Sequence, residues 1–518
     1  MTSPFDAMDA MDAMLQPMPK PMLKPGSKTL IQPALKPLRL AVLAALFAGA
    51  LAGCSLTPEF IRPEAPVAQT FPAAETPTAT SAATSPASGT AAASEIGWRQ
   101  FFPDPRLQAL IAAALENNRD LRTAALRVEE ARALYQVQRA DQLPTLNATG
   151  VAGRSRTPPG LTGVGSPIII GNYQVGLSVP AFELDFFGRV RSLSEAALAS
   201  YLATEEAQRS VHIALVSAVA SAYIAERGAA EQLLLAESTM AARDEAVKLA
   251  RQRFDVGASS ALDLRTVEIL YEQARIAQYA LARQQLQAQN ALVLLVGKPL
   301  TDLPPPRRLG EQGIVSDIPP GLPSDLLVRR PDIRAAEQRL RSANANIGAA
   351  RAAFFPRISL TAALGLGSNE LDSLFDGASK SWSFTPQLVL PLFDYGRRSS
   401  NLTLAEVRNN IAVADYEKTI QTAFREVSDA LVARGLLDQQ LEAQRRSVEG
   451  QADRSRLTLQ RFTNGIASSA EVLDAERELF AAQQLLLQSW QLRYTNSIDL
   501  YRSLGGGLLE SSAALAGK

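Results

Sequence analysis

The sequence predicts a mainly α-helical protein with a membrane β-barrel, and three observations lead to this fold class. The chain repeats itself once at a spacing of roughly 210 residues, far longer than the repeat of a solenoid. Each half holds one very long stretch of helical periodicity and two short stretches of alternating residues. No apolar run of membrane-spanning length follows the N-terminal region, so further membrane contact must come from the strands.

The duplication rests on five pairs of matching segments that occur in the same order in both halves. The pairs are 118–122 with 330–334, 142–146 with 354–358, 171–180 with 383–391, 253–257 with 461–465, and 295–297 with 503–505. We therefore predict a first repeat at 98–297, an equatorial linker at 298–325 and a second repeat at 326–506. Each repeat is expected to run helix, strand, loop, strand, very long helix, tight turn, long helix.

Each repeat is expected to contribute one β-hairpin. Apolar and polar residues alternate after Pro356, as they do in a strand with one apolar face. The predicted strands are 146–153 and 173–179, then 358–365 and 384–390. Four such strands cannot close a barrel, and open edges are not tolerated in lipid. Two copies would supply eight strands, too narrow for a channel, whereas three copies would supply twelve.

The predicted long helices are 188–255 and 397–463. The first contains no proline and only one internal glycine, Gly228. It would extend roughly 100 Å at the rise of an α-helix. Val211, Leu215 and Ala218 lie at alternating steps of four and three, the period of a left-handed coiled coil. Helices of this length must pack laterally against other helices.

Residues 1–53 are interpreted as a secretory signal, with an alternative translation start near Met22 because the preceding residues are acidic. The apolar run 40–51 is short for a membrane span and ends in Leu-Ala-Gly-Cys, which resembles the lipobox of bacterial lipoproteins. Cys54 is therefore the predicted lipidation site, and the alternative is a signal-anchor with an incidental cysteine. Residues 54–97 are predicted to be an extended or disordered tether, and 507–518 a flexible tail.

The composition argues against several classes of function. Lysine plus arginine and aspartate plus glutamate both total 52, so the global charge does not indicate nucleic acid as a partner. One histidine and one cysteine argue against histidine-based catalysis, zinc sites and disulfide frameworks. We expect no enzyme activity, no cofactor and no metal. His212 falls within a long helix and is expected to be packed or solvated.

Several motifs together carry a resemblance to a known family. They are RRPDI at 329–333, FFPRISL at 354–360, PLFDYGRR at 391–398, the RFxxG turns at 253–257 and 461–465, and the lipobox at 51–54. With the duplicated layout of 98–506, they make the chain similar to the outer membrane factor (TolC/OprM-like) family, and within it to NodT-type outer membrane efflux lipoproteins.

The resemblance implies a homotrimer with a twelve-stranded β-barrel in the outer membrane and a long α-helical barrel in the periplasm. It further implies a passive exit duct for drugs and other toxic small molecules. An inner-membrane pump of the RND type would deliver them through a periplasmic adaptor protein. The other expected contacts are with outer membrane lipid.

The two tight turns between long helices are the first group of candidate functional residues. Glycine suits a left-handed turn, and a serine with a following carboxylate can cap the next helix. The resemblance adds a second role, because these turns would form the periplasmic tip that meets the adaptor. The candidates are Phe254, Gly257, Ser260 and Asp263, with Phe462, Gly465, Ser468 and Glu471.

The second group consists of charged residues that would line a constricted aperture near those turns. The candidates are Asp453, Arg456 and Arg461, with Arg251 and Arg454 as further members. A solvated face of a coiled coil explains each of them equally well. Family members close this end with carboxylates and salt bridges, and Asp453 is the carboxylate chosen here.

Two other functions remain open at the level of sequence. One is the exit duct of a type I protein secretion system, which would use the same fold. The other is a periplasmic coiled-coil scaffold without a pore, which predicts neither a β-sheet nor a heat-resistant trimer. The substrate spectrum and the identity of the adaptor and pump are not encoded in any motif of this chain.

Overall fold

The computed structural model describes residues 55–71, 92–163, 166–315, 318–319 and 323–511. The predicted signal sequence, the predicted lipidation site Cys54, part of the predicted tether and residues 512–518 lie outside the described residues.

The first repeat contains four principal helices and one hairpin. It begins with α1 (Pro105–Asn117) and α2 (Arg119–Ala140), and Asn118 caps α2 by accepting a hydrogen bond from the Leu121 N–H at 2.9 Å. The remaining elements are β1 (Asn147–Thr157), β2 (Ile168–Leu184), α3 (Arg189–Asp255) and α4 (Ala261–Val296).

The second repeat has the same order of elements. These are α5 (Pro323–Arg329), α6 (Pro331–Ala352), β3 (Arg357–Ser368), β4 (Lys380–Val389), α7 (Arg397–Thr463) and α8 (Ser469–Ser503). Helices α3 and α7 have 67 residues each, and α2 and α6 have 22 residues each. Single-turn helices occur at Trp98–Phe101 and Pro159–Thr162, with 3-10 turns at Ala93–Glu95, Leu309–Glu311 and Gly377–Ser379. The predicted duplication is thus visible in the structure.

The four strands form one antiparallel sheet in the order β1-β2-β3-β4. Across it, Leu177 lies opposite Leu364, which in turn lies opposite Trp382. A β-bulge between Val179 and Phe182 accommodates one extra residue of β2. All four strands extend beyond their predicted bounds at the ends that face the connecting loops, and β2 also continues to Leu184 at the end joined to the helix. In this chain β1 and β4 are edge strands, each with one side unpaired.

The sheet has one apolar face and one polar face, because side chains alternate along each strand. The pairings place one set on the apolar face: Val175, Leu177, Leu364, Leu366, Trp382 and Phe384. The other face carries Thr149, Gln174, Ser178, Ser359, Thr361, Ser383, Thr385 and Gln387. Apolar side chains on the first face are open to the surroundings, with Leu364 67% and Trp382 78% exposed. Such a surface requires an apolar environment.

The long helices begin where the strands end. Gly188 and Gly396 have φ angles of 73° and 83°, in the left-handed region that glycine adopts at little cost. Helix α3 packs against α2, α4, α6 and α8, and α7 packs against α6 and α8. An apolar window of α3 is long enough to cross a membrane, but most of it is buried within the protein, as in a packed helix.

A buried hydrophobic cluster lies where α1, the middle of α3, α5, α7 and the end of α8 meet. Phe101 stacks on Tyr501 with ring centroids 4.0 Å apart, and Trp98 is 2% exposed. The Tyr223 hydroxyl donates to the carboxylate of Asp104 at 2.6 Å. Burial, and then this hydrogen bond, raise the pKa of Tyr223. Linker residues Leu309, Ile314 and Ile318 are buried in the same cluster.

Residues 55–71, which we call the strap, run extended along α6 without regular secondary structure. The Thr57 and Ser192 hydroxyl oxygens are 3.0 Å apart, and Asn344 donates to the Pro58 carbonyl at 2.9 Å. At the far end, Phe71 stacks on Phe424 with ring centroids 5.2 Å apart. This part of the predicted tether is therefore bound to the helices at several points along its length.

Residues 507–511, assigned to a flexible tail from the sequence, pair with the start of the first repeat. The N–H groups of Trp98 and Arg99 donate to the carbonyls of Leu509 and Glu510 at 2.9 and 3.2 Å. Arg99 also donates to the Glu510 carboxylate at 2.7 Å. Backbone pairing of two distant segments is not visible in composition, which is why the sequence alone did not indicate it.

Candidate functional site

The turn between α3 and α4 reverses the chain within five residues. Gly257 has a φ angle of 72°, which explains the glycine. The Gly257 N–H donates to the Phe254 carbonyl at 2.9 Å, and the Ala258 N–H donates to the Arg253 carbonyl at 2.7 Å. These bonds satisfy carbonyl groups at the end of α3.

The turn between α7 and α8 has the same geometry. Gly465 has a φ angle of 73°, and its N–H donates to the Phe462 carbonyl at 2.9 Å. The Ile466 N–H donates to the Arg461 carbonyl at 2.9 Å. The Arg253 guanidinium carbon lies 5.8 Å from the centroid of the Phe462 ring, so the two turns are neighbours. One protomer thus presents two equivalent turns side by side.

Both turns lead into a complete capping box. The Asp263 N–H donates to the Ser260 hydroxyl at 3.1 Å, and the Ser260 N–H donates to the Asp263 carboxylate at 3.1 Å. Ser468 and Glu471 make the same reciprocal bonds at the start of α8. Hydrogen bonds from Ser260 lower the pKa of Asp263, and those from the Ser468 backbone and hydroxyl lower the pKa of Glu471. The capping role of these residues is confirmed.

The turns also expose apolar side chains that capping does not explain. Val256 is 78% exposed, Leu262 75% and Ile466 68%. Phe254 and Leu459 are also exposed. Exposed apolar groups grouped at the end of a hairpin are typical of a surface that binds another protein. The adaptor contact itself stays a prediction.

The structure separates the aperture candidates into different environments. Asp453 and Arg456 lie on the surface of α7 and form an ion pair at 3.4 Å. Arg461 lies two turns further along, and its charge contributes to the lowered pKa of Glu471, after the hydrogen bonds from Ser468. Asp453 and Arg461 are therefore not brought together within one protomer.

The remaining two candidates hold the helices of each hairpin together. Arg251 of α3 donates to Glu268 of α4 at 2.8 Å. Arg454 of α7 donates to Asp474 of α8 at 2.7 Å. These contacts link the two helices of each hairpin near the turns, although exposed ion pairs of this kind contribute little stability singly.

Arg330 has a role that its motif did not reveal. Its side chain is 8% exposed and donates to Glu426 and to the Ser503 carbonyl, both at 2.9 Å, and to Asp332 at 3.0 Å. Arg330 thereby joins the start of α6 to the middle of α7 and the end of α8. The sequence indicated only a helix start at Pro331, because Glu426 and Ser503 lie far away in the chain.

Arg243 joins the two hairpins closer to the turns. It is 5% exposed, donates to the Leu270 carbonyl of α4 at 2.7 Å, and lies 5.9 Å from the Phe480 ring of α8. Burial lowers the pKa of Arg243. Burial also raises the pKa of Glu476, against the opposing effect of the Arg243 charge. No local sequence signal indicates this contact.

The junction between strands and helices is held by a second charged cluster. Glu183 accepts hydrogen bonds from Arg189 at 2.7 Å and from Arg357 at 3.0 Å. The Phe187 and Phe355 rings stack with centroids 4.8 Å apart. The Phe-Pro-Arg segment at 355–357 is therefore the place where α6 gives way to the sheet.

These features define a class of protein. A duplicated protomer carries an open sheet with one apolar face and helices roughly 100 Å long that pack laterally. That combination describes one subunit of a membrane channel with a helical extension, and comparison with known proteins gives the family. The chain belongs to the outer membrane efflux protein family, whose model matches residues 110–298 and 322–506.

Two curated relatives illustrate the similarity. The chain is 45% identical to the toluene efflux pump outer membrane protein TtgC of Pseudomonas putida over 476 residues, covering 92% of this chain and 96% of that protein. It is 46% identical to the outer membrane protein OprJ of Pseudomonas aeruginosa over 467 residues, covering 90% of this chain and 95% of that protein.

A solved structure shows the same fold. The open state of the MtrE outer membrane channel of Neisseria gonorrhoeae superimposes with a TM-score of 0.81 at 39% identity, covering 89% of this chain and all of that chain. The predicted family and the predicted fold class are thereby confirmed. The two matched segments of the family model coincide with the two structural repeats.

Proposed function

We propose that this chain is one subunit of a homotrimeric channel in the outer membrane, the passive exit duct of a tripartite efflux system. The open sheet carries the proposal: one face is apolar and exposed, the other is polar, and β1 and β4 are edges. Lipid cannot satisfy free strand edges, so β4 pairs with β1 of another copy. Three copies of four strands make twelve, with the polar face lining the lumen.

The cargo consists of small molecules such as drugs and solvents. This proposal is supported by relatives that align with almost the whole chain, among them a component of a toluene efflux pump. The duct performs no reaction, so the substrate is selected by an inner-membrane RND-type pump. The helical tube carries the cargo across the periplasm to the barrel.

The periplasmic adaptor docks on the paired turns at the far end of the tube. The supporting observations are the exposed side chains of Val256, Leu262 and Ile466 and the rigid capping beneath them. Asp453, Arg456 and Arg461 are proposed to line the aperture at this same end. Asp453 and Arg456 are one turn apart on α7, so their ion pair would move together with that helix when the aperture opens.

Lipidation of Cys54 anchors the chain to the outer membrane. The course of the strap supports this proposal, because Thr57 contacts Ser192 in the first turn of α3, directly below the sheet. Cys54 is three residues before Thr57, within reach of the membrane surface at which the strands end.

The experiment that tests the proposal is complementation of a strain that lacks its own efflux channels. Together with its cognate adaptor and pump, the wild-type chain should lower the steady-state accumulation of ethidium. A double variant Val256→Asp with Ile466→Asp should accumulate as a trimer yet fail to lower it, while Asp120→Asn on α2 should behave as wild type. Protein export into the medium without any effect on ethidium would instead favour a type I secretion duct.

A further inference from the structure

The charged side chains of the strands fall into two groups with different surroundings. At the end joined to the helices, Glu183 is paired with arginines. At the opposite end, next to the loops, the strands carry three exposed cations: Arg154, Arg156 and Lys380. Among the described residues, none of these three side chains has a hydrogen bond or an ion pair. Unpaired cations are thus concentrated at one end of the sheet.

All three cations lie on the apolar face. Arg154 lies opposite Gly171 and Arg156 opposite Ile169, while Lys380 lies opposite Leu366. Residues directly opposite each other share a face, and the pairings connect this face to Leu364 and Trp382. Within the described strands, this face carries no acidic residue.

The position of these cations along the strands is informative. A basic residue on the lipid face costs about 2–4 kcal/mol at the middle of a bilayer and about 0–1 kcal/mol near its surface. The helices extend from the other end of the sheet, so the cations lie at the outer surface of the membrane. Acidic loop residues Glu370 and Asp376 are near in sequence, but neither forms an ion pair with Lys380 among the described contacts.

The duplication also gives the contact between subunits, and this step rests on the proposed trimer. Strand β4 is the second copy of β2, and β1 is the first copy of β3. The β2–β3 pairing therefore predicts how β4 of one subunit pairs with β1 of the next, a contact that we call the seam. Leu177 of β2 pairs with Leu364 of β3. Their equivalents in the other repeat are Leu388 of β4 and Ala152 of β1, so Leu388 is expected opposite Ala152 of the partner subunit. Likewise, Tyr173 pairs with Ser368, and their equivalents place Phe384 opposite Arg156 of the partner subunit.

The alternation of side chains between the two faces of the sheet supports this register independently. Leu388, Phe384, Ala152 and Arg156 all lie on the apolar face of their own strands. A shift by one residue would place every pair on opposite faces. The register therefore brings Arg154 and Arg156 of one subunit next to the aromatic side chains of β4 in the neighbouring subunit.

We propose that each seam binds a phosphorylated lipid headgroup of the outer leaflet. Arg154 and Arg156 of one subunit, with Lys380 of its neighbour, hold the phosphates, because guanidinium groups bind phosphate through paired hydrogen bonds. Trp382 and Phe384, 78% and 60% exposed, lie beside them at the level where aromatic rings meet the headgroup region. The site is open towards lipid, which favours a lipid headgroup over free phosphate.

The test measures lipid binding to the purified full-length trimer in neutral detergent. The probes are bisphosphorylated lipid A and the same lipid after dephosphorylation, titrated and followed by native mass spectrometry. The double variant Arg154→Gln with Arg156→Gln should bind the phosphorylated lipid roughly tenfold more weakly or worse. The charge-retaining variant Arg154→Lys with Arg156→Lys should bind more tightly than the glutamine variant but more weakly than wild type, because lysine keeps the charge and loses the paired hydrogen bonds. Arg283→Gln on α4 should bind as wild type.

Several outcomes would overturn the inference. Equal binding of the two lipids, an unchanged affinity in the glutamine variant, or displacement of the lipid by millimolar inorganic phosphate would each do so. A trimer that lacks lipid selectivity would contradict this site and leave the proposed function intact. A chain that forms no trimer at all would contradict the proposed function itself.

Discussion

At the scale of residues, the structure depends on a few buried charges that connect distant parts of the chain. Arg330 is the clearest case, because its partners Glu426 and Ser503 are separated from it by 96 and 173 positions. Burying a charge is costly unless it is paired, and here the carboxylates and a backbone carbonyl complete the pairing. Within the second repeat, Arg330 thus joins the start of α6 to α7 and to the end of α8.

Replacing Arg330 by methionine should destabilise the protein strongly. The change leaves Glu426, Asp332 and the Ser503 carbonyl without their donor, at a cost of about 3 kcal/mol. The apparent Tm of the detergent-solubilised protein, followed by circular dichroism, should fall clearly. Arg329→Met is the matched control, because Arg329 is 35% exposed and its ion pair with Glu95 spans 3.9 Å. Similar Tm values for the two variants would contradict the assigned role of Arg330.

The turn glycines allow a second test at this scale. Gly465→Ala should cost about 1–2 kcal/mol, since an L-residue is strained in the left-handed region. A Cβ atom at Gly465 meets no heavy atom within 4 Å, so strain alone should act. Gly450→Ala, also without a neighbour within 4 Å and inside α7, should stabilise by up to about 1 kcal/mol. Thermal melts that shift in the same direction for both variants would refute this explanation.

At the scale of elements, local signals predicted the helices well and the strands less completely. The long helices begin after Gly188 and Gly396 and end just before Gly257 and Gly465, and these turn glycines are visible in the sequence. Strand β1 continues to Thr157 because its polar outer end pairs with Ile168 and its neighbours. That extension depends on a partner strand, so alternation of residue types could not indicate it.

The candidate site was predictable to a similar degree. The turns and both capping boxes follow from short-range residue patterns, and the structure shows them as expected. The contacts of Arg330 and Arg243 depend on tertiary packing and were missed. The strap likewise has a composition typical of disorder, and it is ordered because α6 supplies partners such as Glu337 and Asn344.

The strap should loosen in acid. Burial would raise the pKa of Glu337, but hydrogen bonds from Arg341 and Arg62 outweigh it and lower the pKa below 4.5. A carboxyl group whose pKa is lower in the folded protein than in the unfolded chain stabilises the folded protein at pH values above its unfolded pKa. That contribution is lost as the pH falls through the folded value. Hydrogen exchange of amides 55–71, corrected for intrinsic rates, should therefore increase below about pH 4.5.

Glu337→Gln serves as the control for this pH dependence. The neutral variant should show faster exchange of the strap already at pH 7, with little further change in acid. Glu195→Gln, on α3 close to the strap, should retain the wild-type profile, because within the described part of the chain Glu195 forms an ion pair with Arg191 alone. A strap that exchanges at the same rate in wild type and Glu337→Gln at neutral pH would rule out this anchor.

The register of the subunit seam can be checked by disulfide formation. Leu388→Cys combined with Ala152→Cys should form covalently linked trimers on oxidation, since directly opposite residues of neighbouring strands have Cβ atoms about 4.5–5.5 Å apart. Leu388→Cys combined with Val151→Cys should not, because these residues lie on opposite faces of the sheet. Efficient cross-linking of the second pair and none of the first would show a different register.

At the scale of the whole molecule, the protomer is incomplete by itself. Its sheet has two open edges and an exposed apolar face, and α2 buries only Leu121 while Leu134 and Val137 are 63% and 68% exposed. On the other side of the protomer, α7 exposes Val407 and Ile411. Neighbouring copies would cover these surfaces, so sheet and helices require the same assembly.

The most direct test of this account is the conductance of the purified full-length protein in a planar lipid bilayer, with its subunit number determined by native mass spectrometry. We predict a trimer, resistant to heat in detergent, that inserts as a single unit and conducts ions in discrete steps. The Arg330→Met variant should form fewer such units. A monomer, a dimer of eight strands, or a trimer that never conducts would contradict the central claim that three copies close one pore.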